Sequence, residues 1–313
     1  MQPAINYLPP EKRKPDYQYP ELLEHILKRG RKVLPVQGEE SRMVQGWQWR
    51  FMMENGFTVL TQRDLSGSRF TGPIGEELGF FNGEHTLEGL MKYGCPEVFW
   101  KRWVTPEKCA DFGLPPGDLG SASYGPILTR FPCPDGTTFN QVEASIELFK
   151  RAPHVRTNRI TPWYPPGIIG KPGTRQVVVA PCHGDLHIFG YPATPEEKER
   201  DPEFKGSLGI HHYQRSGDLP VGVQFNLIQY AAFGLMLATL TGYTFTEYTY
   251  TLSDVHIYKS QHEKVEELIA REPRPFPTVT INESVSRFSD FRTKHFTLSD
   301  YHPHPWMAIP TPT

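Results

Sequence analysis

The chain has 313 residues, room for one large domain or two small ones, and its formal net charge of −2 excludes a bulk electrostatic footprint for nucleic acid. Aromatic residues at 12% and charged residues at 22% exclude a disordered chain. Cys95, Cys109, Cys133 and Cys182 form no C-x-x-C pair, which excludes zinc-type spacing and a disulfide framework and leaves reduced thiols, a cytoplasmic location and no metal as expectations.

Residues 1–20 read as an N-terminal arm, polar and proline-rich, with no apolar core of a signal peptide. Residues 21–313 read as one catalytic domain. Glu21–Arg29 is a short helix, Met43–Phe51 a strand, and Glu54-Asn55-Gly56 a turn. Ile74–Phe81 is an apolar helix with Glu76 and Glu77 embedded and an Asn82-Gly83 stop. Asn140–Lys150 is an amphipathic helix. Arg175–Ala180 and Leu186–Tyr191 read as strands, and Pro192–Ser207 as a charged, proline-containing surface loop.

Phe225–Leu240 is apolar almost all round and reads as a buried helix. Thr244–Leu252 alternates threonine with aromatics and reads as a strand that continues toward Tyr258. His262–Arg271 is a last amphipathic helix. No stretch approaches eighteen uninterrupted apolar residues, so no membrane span is expected. Helices and strands mix without regular alternation, which argues for an α+β fold.

Chemistry concentrates in two segments. In Pro181-Cys182-His183 a thiol follows a β-branched run; it is a buried apolar residue or a nucleophile, and Arg215 could lower its pKa. Gln214-Arg215-Ser216-x-Asp218 is a polar turn or a phosphate clamp of guanidinium and hydroxyl. Asn226 either caps the following helix or reads a planar ring, its carboxamide matching the O4 and N3–H edge of uracil. His256 and Tyr258 alternate on one face of a strand, as core groups or as partners for sugar hydroxyls. Glu76, held dry, would have the raised pKa that suits proton transfer.

The ordered set P-C-H, Q-R-S-x-D with Gly222 and Phe225-Asn226, then D-x-H-x-Y resembles the folate-dependent thymidylate synthase family, which includes the pyrimidine-nucleotide hydroxymethylases. Further echoes are Asn55-Gly56-Phe57, Glu76 with Phe80, Trp100 with Trp103, Asp118-Leu119-Gly120 with Tyr124, and Tyr301-His302-Pro303. The resemblance covers roughly residues 40–310.

It implies a large mixed β-sheet with flanking helices, paired sheet to sheet in a homodimer. It also implies two ligands, a pyrimidine nucleoside monophosphate and the co-substrate 5,10-methylenetetrahydrofolate. Cys182 would add to C6 of the pyrimidine, Glu76 would organise proton transfers and Tyr124 would assist loss of the C5 proton. Asn226 would orient the base, while Arg215, Ser216, Gln214, His183, His256 and Tyr258 hold the nucleotide. Arg156 and Arg159 would reach a partner's phosphate. Asp218, Gly222, Trp100 and Trp306 would lie against the folate. The substrate in this scheme is dUMP, giving dTMP; a hydroxymethylase acting on dUMP, dCMP or CMP is the alternative, and a non-catalytic nucleotide-binding homologue comes third.

The chain departs from the family pattern in several places. Thr157 stands where a second adjacent arginine is usual, and Lys32–Gly38 replaces a glycine- and threonine-rich loop. Gly79 replaces a large residue, Gln224 a proline and Trp306 a small residue, and Pro192–Ser207 is an insertion.

Overall fold

The protein is described from a computed structural model covering residues 3–35, 38–170 and 173–312. Its frame is a six-stranded sheet of β1 (Arg31–Val33), β2 (Ser41–Met52), β3 (Arg159–Ile160), β4 (Asp185–Pro192), β5 (Gly206–Asp218) and β6 (Thr244–Tyr258), in the order β1-β2-β6-β5-β4-β3. Neighbours are antiparallel except β5 and β6, so the sheet is mixed. A parallel pair needs a long crossover. Here it is the helix Gly222–Thr241, which is apolar on every side and therefore buried on every side.

The helices that matter for the site are α1 (Gln18–Arg29), α2 (Ser68–Phe81), α3 (Tyr124–Thr129), α4 (Gln141–Arg151), α5 (Pro195–Arg200), α6 (Gly222–Thr241) and α7 (His262–Ile269). The expected Asn140 helix starts one residue later, because Asn140 serves as its N-cap and accepts from the Glu143 N–H at 3.1 Å. α6 packs against α2, β5 and β6, where Gly234 leaves room for the Phe245 ring. It is long and apolar enough to cross a bilayer, yet most of it lies inside the protein core. One contiguous apolar core runs from Ile5 to Met307.

Two expectations change, and the N-terminal arm is docked. Arg175–Ala180 is not a strand: its backbone bonds go singly to loops, from Gln176 to Gly167, from Ala122 to Gln176 and from Val178 to Leu119, so no ladder forms. Cys182 therefore lies on a loop entering β4, not at a strand end. Pro192–Ser207 is exposed as expected but contains α5, nucleated by Pro195 and by a Thr194–Glu197 capping box. The N-terminal arm is part of the fold. Ile5 is buried, the Tyr7 hydroxyl donates to the Val279 carbonyl, and the Arg13 guanidinium is buried against Phe276 and Thr278. Of the Lys32–Gly38 stretch, Val36 and Gln37 lie outside the described residues.

The substitutions noted in the sequence are absorbed locally. A Cβ on Gly79 would stand 2.7 Å from a Leu90 methyl, so Leu90 fills the space a larger residue would take. Gln224 bridges three elements: its Oε1 accepts from Arg63 Nε at 2.8 Å, and its Nε2 donates to the Pro220 carbonyl at 2.8 Å and to the Tyr19 hydroxyl.

Glu77 on α2 is buried with neither carboxyl oxygen hydrogen-bonded, and burial, reinforced by Glu76, pushes its pKa well up. The unfolded chain keeps the ordinary carboxyl value, so the stability this group contributes falls as pH rises above that range. Glu77→Leu is expected to stabilise the fold by about 1–3 kcal/mol at neutral pH. Thermal melts of the two proteins should diverge further as pH is raised from about 5 to about 8; a constant gap would mean that Glu77 is not held as a neutral acid.

Candidate functional site

The C-terminal end of β5, the start of α6, the loop before β4, and helix α2 converge on a cleft of about 600 Å³. Among the expected site residues, Cys182, His183, Glu76, Tyr124, Gln214 and Ser216 line it, as do Asp218, Gly222, Asn226, Trp100 and Trp306.

Cys182 sits half-buried on its loop, held by main chain and by one guanidinium. Its carbonyl accepts from the Arg215 N–H at 2.7 Å, and its N–H donates to the Tyr124 hydroxyl at 2.7 Å. Arg215 Nη2 donates to Sγ at 3.3 Å, while Nε and Nη2 also bond the Pro181 and Ala180 carbonyls. Burial pushes the thiol up, and Arg215 pulls it back. The proximity that spacing could only suggest is therefore present. Gly184 makes the turn into β4 in the left-handed region, at φ 95°, and a Cβ there would stand 2.8 Å from the Tyr230 hydroxyl.

Ser216 donates to Asp254 Oδ2 at 2.7 Å, and His256 Nδ1 lies 3.0 Å from Asp254 Oδ1. β5–β6 pairing sets Ser216 opposite Asp254 and Asp218 opposite His256. His256 and Tyr258 thus stand beside the Ser216 end of the cleft without lining it. Burial pushes Asp218 up to about 6 despite His256, Arg63 and Gln261, whose Nε2 donates to both carboxyl oxygens. His183 is driven down to about 3 by burial and by Arg215, so it is neutral; it stacks on Tyr124 and its Nδ1 lies 2.6 Å from the Tyr230 hydroxyl.

Asn226 is not a helix cap. It sits in the second turn of α6, whose N-cap position is Val221, and its Nδ2 donates to Gln229 Oε1 at 2.7 Å. Gln229 Nε2 donates to Glu76 Oε2 at 2.6 Å, and the Trp100 indole donates to Glu76 Oε1. Desolvation carries the Glu76 carboxyl up to about 7 although both hydrogen bonds oppose it. It therefore changes charge near neutral pH, the property wanted of a proton-transfer group.

Arg156 and Arg159 are outside the cleft. Arg159 pairs with Asp185 at 2.8 Å and lies in one cross-sheet row with His187, His211, Thr249 and Arg50. Arg156 is exposed, and its carbonyl faces His187 Nε2 at 2.9 Å.

Several residues went unseen in the sequence. Gln229 was signalled by its place three residues after Asn226 in an apolar helix, a same-face spacing. Arg63 carried no such signal. It is buried, bonded to Gln224, Pro220 and Met307, and it holds Trp306 against Arg69, with the two guanidinium carbons 4.9 and 4.0 Å from the indole centroid. The C-terminal segment, whose Trp306, Ala308, Ile309 and Thr311 line the cleft, is pinned by these two guanidinium contacts and by the bond from Gln261 to the Pro310 carbonyl.

A family model described as thymidylate synthase matches residues 17–312. The chain belongs to the thymidylate synthase family. Its members are C5 one-carbon transferases that bind a pyrimidine nucleotide and use methylenetetrahydrofolate as co-substrate. The chemistry of the cleft is compatible with both ligands of the family: the Ser216 hydroxyl lines it, the Arg215 guanidinium stands behind the thiol, and Trp100, Phe225 and Trp306 supply apolar walls. Among the described residues no group of three or more His, Cys, Asp or Glu side chains could hold a metal ion.

Arg215→Gln is expected to raise the Cys182 pKa further, moving the pH profile of its alkylation by iodoacetamide upward by about one pH unit. Mass spectrometry of the Cys182 peptide separates it from the other thiols. An unmoved profile would show that the guanidinium does not bias the thiol.

Proposed function

We propose that this protein converts dUMP to dTMP, using 5,10-methylenetetrahydrofolate as the one-carbon donor. The observation that carries the reading is one cleft holding a guanidinium-biased thiol at one end and a buried proton-transfer carboxyl joined to a ring-reading amide at the other.

In this scheme the phosphate is held by Arg215 and Ser216, and the sugar lies near His256 and Tyr258. The Cys182 thiolate gives its electron pair to C6, and the C5–C6 π pair moves onto C5. Asn226 bonds the O4 and N3–H edge of the ring. Glu76 accepts and returns protons at the base carbonyl side. Tyr124, whose oxygen already faces Cys182, assists departure of the C5 proton once the new C5–carbon bond has formed. Bond cleavage between Sγ and C6 restores the thiolate. Bound folate supplies the carbon at formaldehyde oxidation level and then the hydride that makes it methyl.

The methyl product depends on keeping water from C5. The pinned Trp306 segment, which lines the cleft, supports that product over hydroxymethyl. The open sheet face bearing Arg159 supports a sheet-to-sheet homodimer in which Arg156 and Arg159 serve the partner's phosphate.

The test is tritium release from C5-labelled dUMP with methylenetetrahydrofolate, with dihydrofolate formation followed by absorbance. Release together with dihydrofolate is the expected result. Release without dihydrofolate would identify a hydroxymethylase, and no release from dUMP, dCMP or CMP would sink the enzyme reading. Cys182→Ala is expected to fold, bind dUMP and lose tritium release by roughly 10³-fold or more; retained turnover would remove the nucleophile assignment. Asn226→Asp is expected to shift the kcat/KM ratio from uracil toward cytosine by roughly tenfold or more, and an unchanged ratio would show that Asn226 does not read the base.

A further inference from the structure

Gln229 has no part in the chemistry above, yet it is fully buried between two groups that do. Its Nε2 donates to Glu76 and its Oε1 accepts from Asn226. On the other side, Asn226 Oδ1 accepts from Gln214 Nε2 at 3.0 Å, and the same nitrogen donates to the Ser216 carbonyl at 2.8 Å. Both ends of this row are acceptors, a carboxylate at one and a main-chain carbonyl at the other. Gln229 must turn its nitrogen to Glu76 and so its oxygen to Asn226. Gln214 must turn its nitrogen to Ser216 and so also to Asn226. The two demands agree on a single orientation of the Asn226 amide.

That orientation has a chemical meaning. Asn226 keeps one N–H on the Glu76 side and one lone pair on the Ser216 side. A pyrimidine with C6 at Cys182 and its phosphate at Arg215 and Ser216 turns C4, which lies opposite N1, toward the Glu76 end. The N–H then meets the C4 substituent and the lone pair meets N3. Uracil satisfies both with O4 and N3–H; cytosine satisfies neither.

Resting on the functional reading above, we infer that Gln229 is a positioning residue that makes the choice of base depend on the ionisation of Glu76. An ionised Glu76 accepts from both Trp100 and Gln229 without conflict. A protonated Glu76 must donate, and both neighbours face it with N–H groups. Gln229 then turns its oxygen to Glu76 and its N–H to the N–H of Asn226, so the lock fails at that end. Asn226 is left held by Gln214 alone, and its rotation to the cytosine pattern costs less. The other titratable groups around Glu76 are Glu77 on its own helix, Cys95, Tyr124 on α3 and Tyr230 on α6, and burial favours the neutral form of each.

Calorimetric titration of dUMP and dCMP into the full-length protein without folate, between about pH 6 and pH 8, reads the preference apart from turnover. Phosphate ionisation is common to both nucleotides and cancels in the ratio. The parent's preference for dUMP is expected to fall roughly three- to tenfold as pH drops through that window, the worth of about one hydrogen bond. Gln229→Met, close in volume, is expected to show a smaller preference that no longer changes with pH. Gln229→Asn, too short to reach Glu76, gives the same reading if the methionine variant melts early. A pH-dependent preference surviving in these variants would mean that Glu76 acts on the base directly, and would overturn the inference. So would a pH-independent preference in the parent. Failure of the parent to bind either nucleotide would instead overturn the functional reading.

Discussion

The parallel pairing of β5 with β6 is the constraint on which the site depends. Two parallel neighbours end on the same side of the sheet, and the helix that joins them must start from that side. Asp218, Ser216, Asp254 and His256 therefore collect at one edge, and Asn226 enters just beyond it in the second turn of α6. Eleven residue pairs hold this ladder in register, with one irregularity at Leu208/Gly209, well away from the cleft. A helix buried on every side cannot shift to accommodate a new register, so the polar groups at its start are held as firmly as its core.

Burial does the rest of the electrostatic work. Glu76, Asp218 and Cys182 have their pKa values pushed up by desolvation, and His183 has its value pushed down, so the two carboxyls change charge at or just below neutral pH while the imidazole stays neutral. Each perturbed group then responds to a particular partner: the thiol to Arg215, Asp218 to His256 and Gln261, Glu76 to Trp100 and Gln229. An anionic phosphate entering beside Arg215 would change the balance at the thiol most, because the guanidinium is what opposes its desolvation.

Much of this was legible in the chain itself. The apolar run after Asn226 dictated a buried helix, alternating threonine and aromatics dictated β6, and Asn140 marked its helix start by its own chemistry. The Gln176–Val179 run has strand composition, but Gly167 and Ala122 take the backbone groups of Gln176 and Leu119 takes the N–H of Val178, and strand propensity does not reveal the absence of a neighbour to pair with. Charge and proline in Pro192–Ser207 concealed a capping box that sustains a short helix.

What the sequence determined by itself is the inventory and the family: an acid, a thiol, an arginine-serine pair and an amide in a fixed order along the chain. Those are properties of residue type and order, and they survive without coordinates. The tertiary structure alone decided that Asn226 is not a cap, that Arg215 touches the thiol and that Arg159 stands on the open sheet face. It also decided that Gln229 ties the acid to the amide. The Arg215–Cys182 and Gln229–Glu76 contacts join residues 33 and 153 positions apart, and sheet register and the path of a buried helix set them, which no local pattern encodes.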